Sequence, residues 1–170
     1  MRDTAGAAGA GLILAPILVI GYHATKGGTF PSAVPTLFGA IAPALAAVPI
    51  VLTVRLNLWA GLFLIMAVSL YDAGSFLYGS GAGARWEGPV AGVIGILAVT
   101  FTMAVFHPNP FTPVSVALSG AILAVACPLG QIMASKFLPV PDAKARGLRR
   151  LDAYLVAAPV FYICATIITS

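Results

Sequence analysis

The chain has 170 residues, of which 60% are hydrophobic and only 8% are charged, and its formal net charge is +4. An ordinary soluble domain has about 25% charged residues, so nine basic and five acidic side chains are too few to cover a soluble fold of this size. The composition also excludes a disordered chain, a coiled coil and a disulfide scaffold. The apolar runs are continuous, unlike the alternating strands of a membrane β-barrel. We therefore predict an all-α integral membrane protein with a single membrane domain over residues 1–170.

Apolar runs of the length needed to cross a bilayer lie between the charged residues. Arg55 is predicted to form a tight connection between the second run and the third. The first run has no clear small-x-small cleavage site, which favours a retained helix over a signal sequence. We expect a compact bundle of about six transmembrane helices, over residues 7–24, 34–53, 56–78, 88–106, 111–134 and 151–169.

The basic residues are distributed unequally between the two sides of these spans. Cytoplasmic loops of membrane proteins are enriched in Lys and Arg, so the richer side is expected to face the cytoplasm and no nucleic-acid partner is implied. We then expect the loops 79–87 and 135–150 to be cytoplasmic, the second of them as a basic loop. The protein would lie in the cell (inner) membrane, with both termini on the outer side. The richer side has Lys26, Arg85, Lys136, Lys144, Arg146, Arg149 and Arg150, and the other has Arg2 and Arg55.

Asp72 is the first candidate functional residue. A carboxylate inside a membrane span is costly, faces the bundle interior and is functional by default. Ser75 and Gly79 are predicted to share its face of the helix. The alternative is a structural role, in a hydrogen bond or in an ion pair with Arg85 or Arg150.

Two loops on the predicted cytoplasmic side are candidates for phosphate binding. Residues 79–85 form a glycine-rich turn before a helix start, and such turns can present backbone N–H groups to phosphate oxygens. The basic loop 135–150 could hold a phosphate of a lipid headgroup or a nucleotide through bidentate Arg contacts. The same charges could equally serve as topology determinants that contact anionic lipids, and the spacing leaves both readings open.

At these residues the sequence resembles the phosphatidate cytidylyltransferase (CDP-diacylglycerol synthase) family. The first segment, Asp72-Ala-Gly-Ser-Phe-Leu-Tyr-Gly79 followed by Trp86-Glu-Gly88, is similar to the family pattern D-[TS]-[GA]-A-[YF]-x-x-G followed by W-E-G. The second, Arg150-Leu-Asp152 continuing into Ala157-Ala-Pro-Val-Phe161, is similar to the D-R-[IL]-D signature. The likeness covers a family-like core over residues 56–170.

The resemblance implies the fold and the reaction of that family. CTP and phosphatidate would give CDP-diacylglycerol and pyrophosphate, with Mg²⁺ neutralising the phosphates. By motif match, Asp72 and Asp152 would be catalytic. The substrate phosphates would be bound by Arg85, Glu87, Ser135, Lys136, Arg149 and Arg150.

Two of the departures from the family pattern fall at implied metal-ligand positions. The resemblance implies carboxylate metal ligands at the positions of Gln131 and Arg149, and neither residue is one. Hard divalent cations prefer charged oxygens, so we expect ordinary Mg²⁺ binding to be lost, with no metal ligand at the family positions. Asp72, Asp142 or Asp152 could substitute.

Three functions stay open at this point. The first is a weakly active or non-catalytic homologue, a pseudoenzyme that binds a phosphatidate-like phospholipid or a nucleotide. The second is an active cytidylyltransferase that uses CTP and a metal site rebuilt around Asp72, Asp142 and Asp152. The third is a non-enzymatic transporter or membrane-complex subunit. Small residues at 40–47 permit close helix packing, which fits either a homo-oligomer or a membrane-enzyme partner.

Overall fold

The computed structural model describes residues 46–80, 83–84, 86–106, 108–137 and 151–169, together with seven positions between 14 and 25. All regular secondary structure among these residues is helical. Most of the first predicted span and residues 34–45 of the second lie outside the described residues. The helices among the described residues are α1 (Ala46–Leu56, directly after a stretch outside the described range), α2 (Leu58–Gly79), α3 (Glu87–Phe106), α4 (Pro113–Phe137) and α5 (Asp152–Thr169).

Four of these helices are long and apolar enough to cross a membrane. They are α2, α3, α4 over Pro113–Ser135, and α5, and they coincide with the last four predicted apolar runs. The α-helical class and these four runs are therefore confirmed. Consecutive long helices pack side by side, so the bundle alternates in direction.

The break between α1 and α2 lies at Asn57 rather than at Arg55, which is part of α1. Asn57 is extended, and its side-chain oxygen accepts hydrogen bonds from the backbone N–H groups of Trp59 (2.9 Å) and Ala60 (3.1 Å). An Asn N-cap satisfies donors that a helix start leaves unpaired. The prediction that Arg55 forms the connection is wrong, because the capping residue and not the charge sets the break.

The limits of α4 also differ from the predicted run 111–134. Thr112 and Ser115 cap its start reciprocally: the Ser115 N–H donates to Thr112 Oγ1 (3.2 Å) and the Thr112 N–H donates to Ser115 Oγ (2.9 Å). The helix continues to Phe137, so Ser135 and Lys136 belong to its last turn and not to the following loop.

The core of the bundle is a stripe of α2 that packs against the other helices. Its buried residues recur at helical spacing and include Phe63, Leu64, Ala67 and Tyr71. The buried residues of α5 are mostly small, which allows the helix axes to approach closely. The buried residues of α5 are Ala153, Tyr154, Ala157, Ala158, Phe161 and Ala165.

Helices α2 and α3 approach so closely that backbone touches backbone. A methyl group on Gly74 would come within 2.8 Å of the Ala91 carbonyl oxygen, and one on Gly95 within 2.8 Å of the Leu70 carbonyl oxygen. Such glycine contacts are typical of helix pairs in membranes, where packing replaces the hydrophobic drive. This seam holds the end of α2 in register with the start of α3.

The outer surface of the bundle is apolar along its length. On α3 the exposed residues include Ile94, Leu97 and Phe101, which is 73% exposed. Trp59 and Trp86 are exposed at opposite ends of the bundle, as expected for side chains at the two membrane–water interfaces. These are the features of a polytopic helical membrane protein.

Candidate functional site

The candidate site lies at one end of the bundle, where α2 and α4 finish and α3 and α5 begin. We refer to this as the polar end. Here a methyl group on Gly88 would come within 3.2 Å of Gly79 Cα, and Gly130 of α4 is in close contact with the backbone oxygens of Asp152 and Ala153. One glycine contact therefore joins the end of α2 to the start of α3, and the other joins α4 to the start of α5.

Tyr71 and Gln131 form the central polar contact of this end. The Tyr71 hydroxyl donates to Gln131 Oε1 at 2.9 Å, across 60 residues of sequence. The Tyr71 ring is fully buried, whereas Gln131 is partly buried. A phenol inside a bundle needs a partner for its hydroxyl, so this bond joins α2 to α4 at a defined rotation of both helices.

Asp72 follows Tyr71 on α2 and is partly buried. It lies seven residues before the end of the helix, about 10 Å along the axis. Its carboxylate interacts electrostatically with that of Asp152. Among the described residues it makes no hydrogen bond or ion pair, and its predicted partners Arg85 and Arg150 lie outside the described residues.

Asp152 is the first residue of α5, and its side chain accepts a hydrogen bond from the Ala153 N–H at 2.8 Å. A carboxylate in the first helical turn interacts favourably with the helix dipole. The structure thus brings Asp72, Gln131 and Asp152 to one end of the bundle, as the alternating topology predicted.

The remaining predicted site residues are distributed around this cluster. Glu87 is partly buried in the first turn of α3. Ser135 is exposed near the end of α4, where its hydroxyl donates to the Ile132 carbonyl oxygen at 2.8 Å, within its own helix. Outside the described residues are Arg85, Asp142, Arg149 and Arg150, together with the side chain of Lys136.

The described residues do not form a ligand set for Mg²⁺. No group of three or more His, Cys, Asp or Glu lies close enough to share a metal ion in the described part of the chain. The Gln131 oxygen, at the position where the resemblance implies a ligand, accepts the Tyr71 hydroxyl. Mg²⁺ requires near-octahedral oxygen coordination with carboxylate support, and no catalytic step through a metal follows from these residues.

Sequence reasoning missed Tyr71 and the environment of Ser75. Ser75 Oγ is buried and makes no hydrogen bond in the described structure, although it faces the Tyr71 hydroxyl. It packs against α3, since a methyl group on Gly92 would come within 2.6 Å of it. The available signal was the four-residue spacing of Tyr71 and Ser75, which places both on one helix face.

Replacing Ser75 by alanine is expected to leave the free energy of unfolding unchanged or to raise it by up to about 1 kcal/mol, because a buried hydroxyl without a partner is destabilising. Replacing Tyr71 by phenylalanine should instead lower it by about 1 kcal/mol, since the bond to Gln131 is lost. Unfolding in detergent micelles measures both. A loss of more than 1 kcal/mol in Ser75→Ala would show that this hydroxyl is paired.

Comparison of the chain with protein-family models, with curated proteins and with solved structures finds no match in any of the three. The fold and the site define a helical membrane protein with a polar cluster at one end of its bundle. The cytidylyltransferase resemblance stays a prediction from the sequence.

Proposed function

We propose that this chain is a multi-pass membrane protein of the phosphatidate cytidylyltransferase type that binds a lipid phosphate or a nucleotide at the polar end, with little or no transferase activity. The observation that carries the proposal is the meeting of Tyr71, Asp72, Gln131 and Asp152 where four helix ends converge. Polar and ionisable groups inside a membrane bundle are costly and mark ligand sites.

The charges near the polar end favour an anionic ligand. In the sequence, Arg85 lies between α2 and α3, and Lys136 is the penultimate residue of α4. Arg149 and Arg150 come shortly before α5. Two helix N-termini, of α3 and α5, open at this end, and their dipoles add to the attraction for a phosphate group. By the positive-inside rule this end is cytoplasmic, in a cell inner membrane, with both termini outside.

The low activity follows from the residues at the two implied metal positions. Gln131 offers a neutral amide, and Arg149 replaces a ligand with a positive charge. Mg²⁺ and CTP would be needed only if the chain were active. Without turnover, it would serve as a binding or assembly subunit beside another membrane enzyme or a second copy of itself.

Lipid binding is the first test. The protein is purified into nanodiscs of phosphatidylcholine and titrated with short-chain phosphatidate or with short-chain phosphatidylcholine, by calorimetry. We expect saturable binding of phosphatidate alone, weakened about tenfold in an Arg149→Gln/Arg150→Gln variant, because charge-assisted hydrogen bonds are lost. Arg55→Gln, in the last turn of α1 and beyond the opposite end of α2, is the matched control and should bind as the native chain does. Equal binding of both lipids would refute a lipid phosphate as the ligand.

A transferase assay with phosphatidate, CTP and Mg²⁺ separates a binding protein from an enzyme. We expect no product from the native chain. A Gln131→Asp/Arg149→Asp variant, which restores both implied carboxylates, tests whether the rest of the site is preserved. Turnover by the native chain that is abolished by Asp72→Asn would instead establish an active enzyme with a rebuilt metal site.

A further inference from the structure

The Tyr71 hydrogen bond determines which way the Gln131 amide faces. A phenol has a single O–H to donate, and here it donates to Gln131 Oε1 at 2.9 Å. The amide oxygen is therefore turned toward α2, and the amide nitrogen with its two N–H donors is turned away from Tyr71. Because the Tyr71 ring is fully buried, this orientation is held by the core of the bundle.

The Gln131 amide nitrogen has no acceptor in the described part of the chain. The Gln131 nitrogen is also not fully buried. Among the described residues that are not exposed, only Ser75 Oγ is a side-chain polar atom that is both fully buried and without a hydrogen-bond partner. An unpaired amide group at membrane depth costs free energy. Its two N–H donors are therefore unused within the described residues and available to a ligand at the polar end.

An amide N–H cannot ligate a cation, but it donates directly to an anionic oxygen. A carboxylate at the same position would accept only, and it would hold a phosphate only through a metal ion placed between them. If this position corresponds to the acidic one that the resemblance implies, Gln131 would make a different kind of ligand contact from a carboxylate there.

We propose that Gln131 is a specificity-determining residue that donates its amide hydrogens directly to a non-bridging phosphate oxygen, so that the ligand is bound without a divalent cation. Tyr71 is its positioning residue. This inference rests on the proposed function, which supplies the phosphate ligand. The shared chemistry is an anionic phosphate oxygen, on a lipid headgroup, a nucleotide or free phosphate.

The test measures binding by calorimetry to the protein in phosphatidylcholine nanodiscs. Short-chain phosphatidate, CTP and inorganic phosphate are titrated separately, each in EDTA and in Mg²⁺. The native chain is expected to bind one of them with a Kd that differs by less than about twofold between the two buffers. The ligand that binds identifies the source of the phosphate.

Two substitutions of Gln131 separate the loss of its N–H donors from the effect of an added negative charge. Gln131→Glu keeps an oxygen for Tyr71 but has no N–H, and it should bind about tenfold more weakly in EDTA and recover in Mg²⁺. Gln131→Met removes the amide without adding charge and should bind about tenfold more weakly in both buffers. Ile132→Met, an exposed neighbour on α4, is the matched control and should bind as the native chain does.

Tyr71→Phe should weaken binding a few-fold in the native chain and have no further effect in Gln131→Met, since it acts through the amide. Native binding that requires Mg²⁺, or selective binding that neither Gln131 variant weakens, overturns this inference and leaves the proposed function standing. If the native chain binds none of the three ligands in either buffer, both fail. If Gln131→Glu does not fold, Gln131→Met decides the outcome.

Discussion

Substituting Gly130 by valine is expected to lower the free energy of unfolding by about 2–3 kcal/mol and to abolish phosphatidate binding. The Gly130 Cα faces the start of α5, and a methyl group there would be in contact with the Asp152 oxygen and 3.0 Å from the Ala153 oxygen. These are backbone atoms, so they cannot rotate away. Valine would force α4 and α5 apart where Gln131 and Asp152 lie.

The measurement for Gly130→Val is thermal unfolding in detergent micelles, followed by phosphatidate titration in nanodiscs well below the midpoint. Leu129→Val places a valine one residue earlier, at a position that is 46% exposed on the outward face of α4. It should have little effect on the unfolding midpoint or on phosphatidate binding. A Gly130→Val protein with native stability would mean that α4 and α5 are not in contact at this position.

The four long helices could be predicted because each is an apolar run of bilayer length bounded by polar residues. Their ends depend on a different signal. α2 begins after Asn57 because the Asn57 side chain satisfies two helix N–H groups, whereas Arg55 only suggested a connection by its charge. Capping geometry is local and is not visible in hydropathy, so the prediction placed the break at Arg55, two residues before Asn57.

The contents of the polar end could be predicted in part. Alternating helix directions place Asp72, Gln131 and Asp152 at the same end, and the structure brings them there. The bond between Tyr71 and Gln131 depends on how two helices are rotated about their axes. In the sequence Tyr71 is one more aromatic residue in an apolar run, so its partner could be found only from the packing.

The glycine contacts fix the positions of the helices that carry the site. Gly88 closely approaches Gly79, and Gly130 closely approaches Asp152. Each contact joins a helix that finishes at the polar end to one that begins there. The helices that carry the polar cluster are therefore held within each pair by backbone contacts, and the Tyr71–Gln131 bond joins the two pairs. A preorganised site of this kind loses less conformational entropy when it binds a ligand.

Phe63→Ala is expected to lower the free energy of unfolding by about 3 kcal/mol or more, because a fully buried aromatic side chain leaves a cavity. Phe63 meets Phe161 edge-on, with ring centroids 5.6 Å apart, and Phe111 edge-on at 6.3 Å. The substitution removes both aromatic contacts, which join α2 to α5 and to the segment before α4. Packing is the main source of stability between membrane helices, so the loss is not offset by lipid.

The matched control is Phe101→Ala on α3, where the ring is 73% exposed on the outer surface and its removal should cost little. Phe63 lies eight residues before Tyr71, about 12 Å along α2, so phosphatidate affinity well below the unfolding midpoint should be unchanged. Unfolding in micelles and calorimetry in nanodiscs measure the two effects separately. Equal losses of stability in the two variants would contradict the assignment of Phe63 to the core. A loss of affinity in Phe63→Ala would instead mean that the aromatic core and the polar end are coupled.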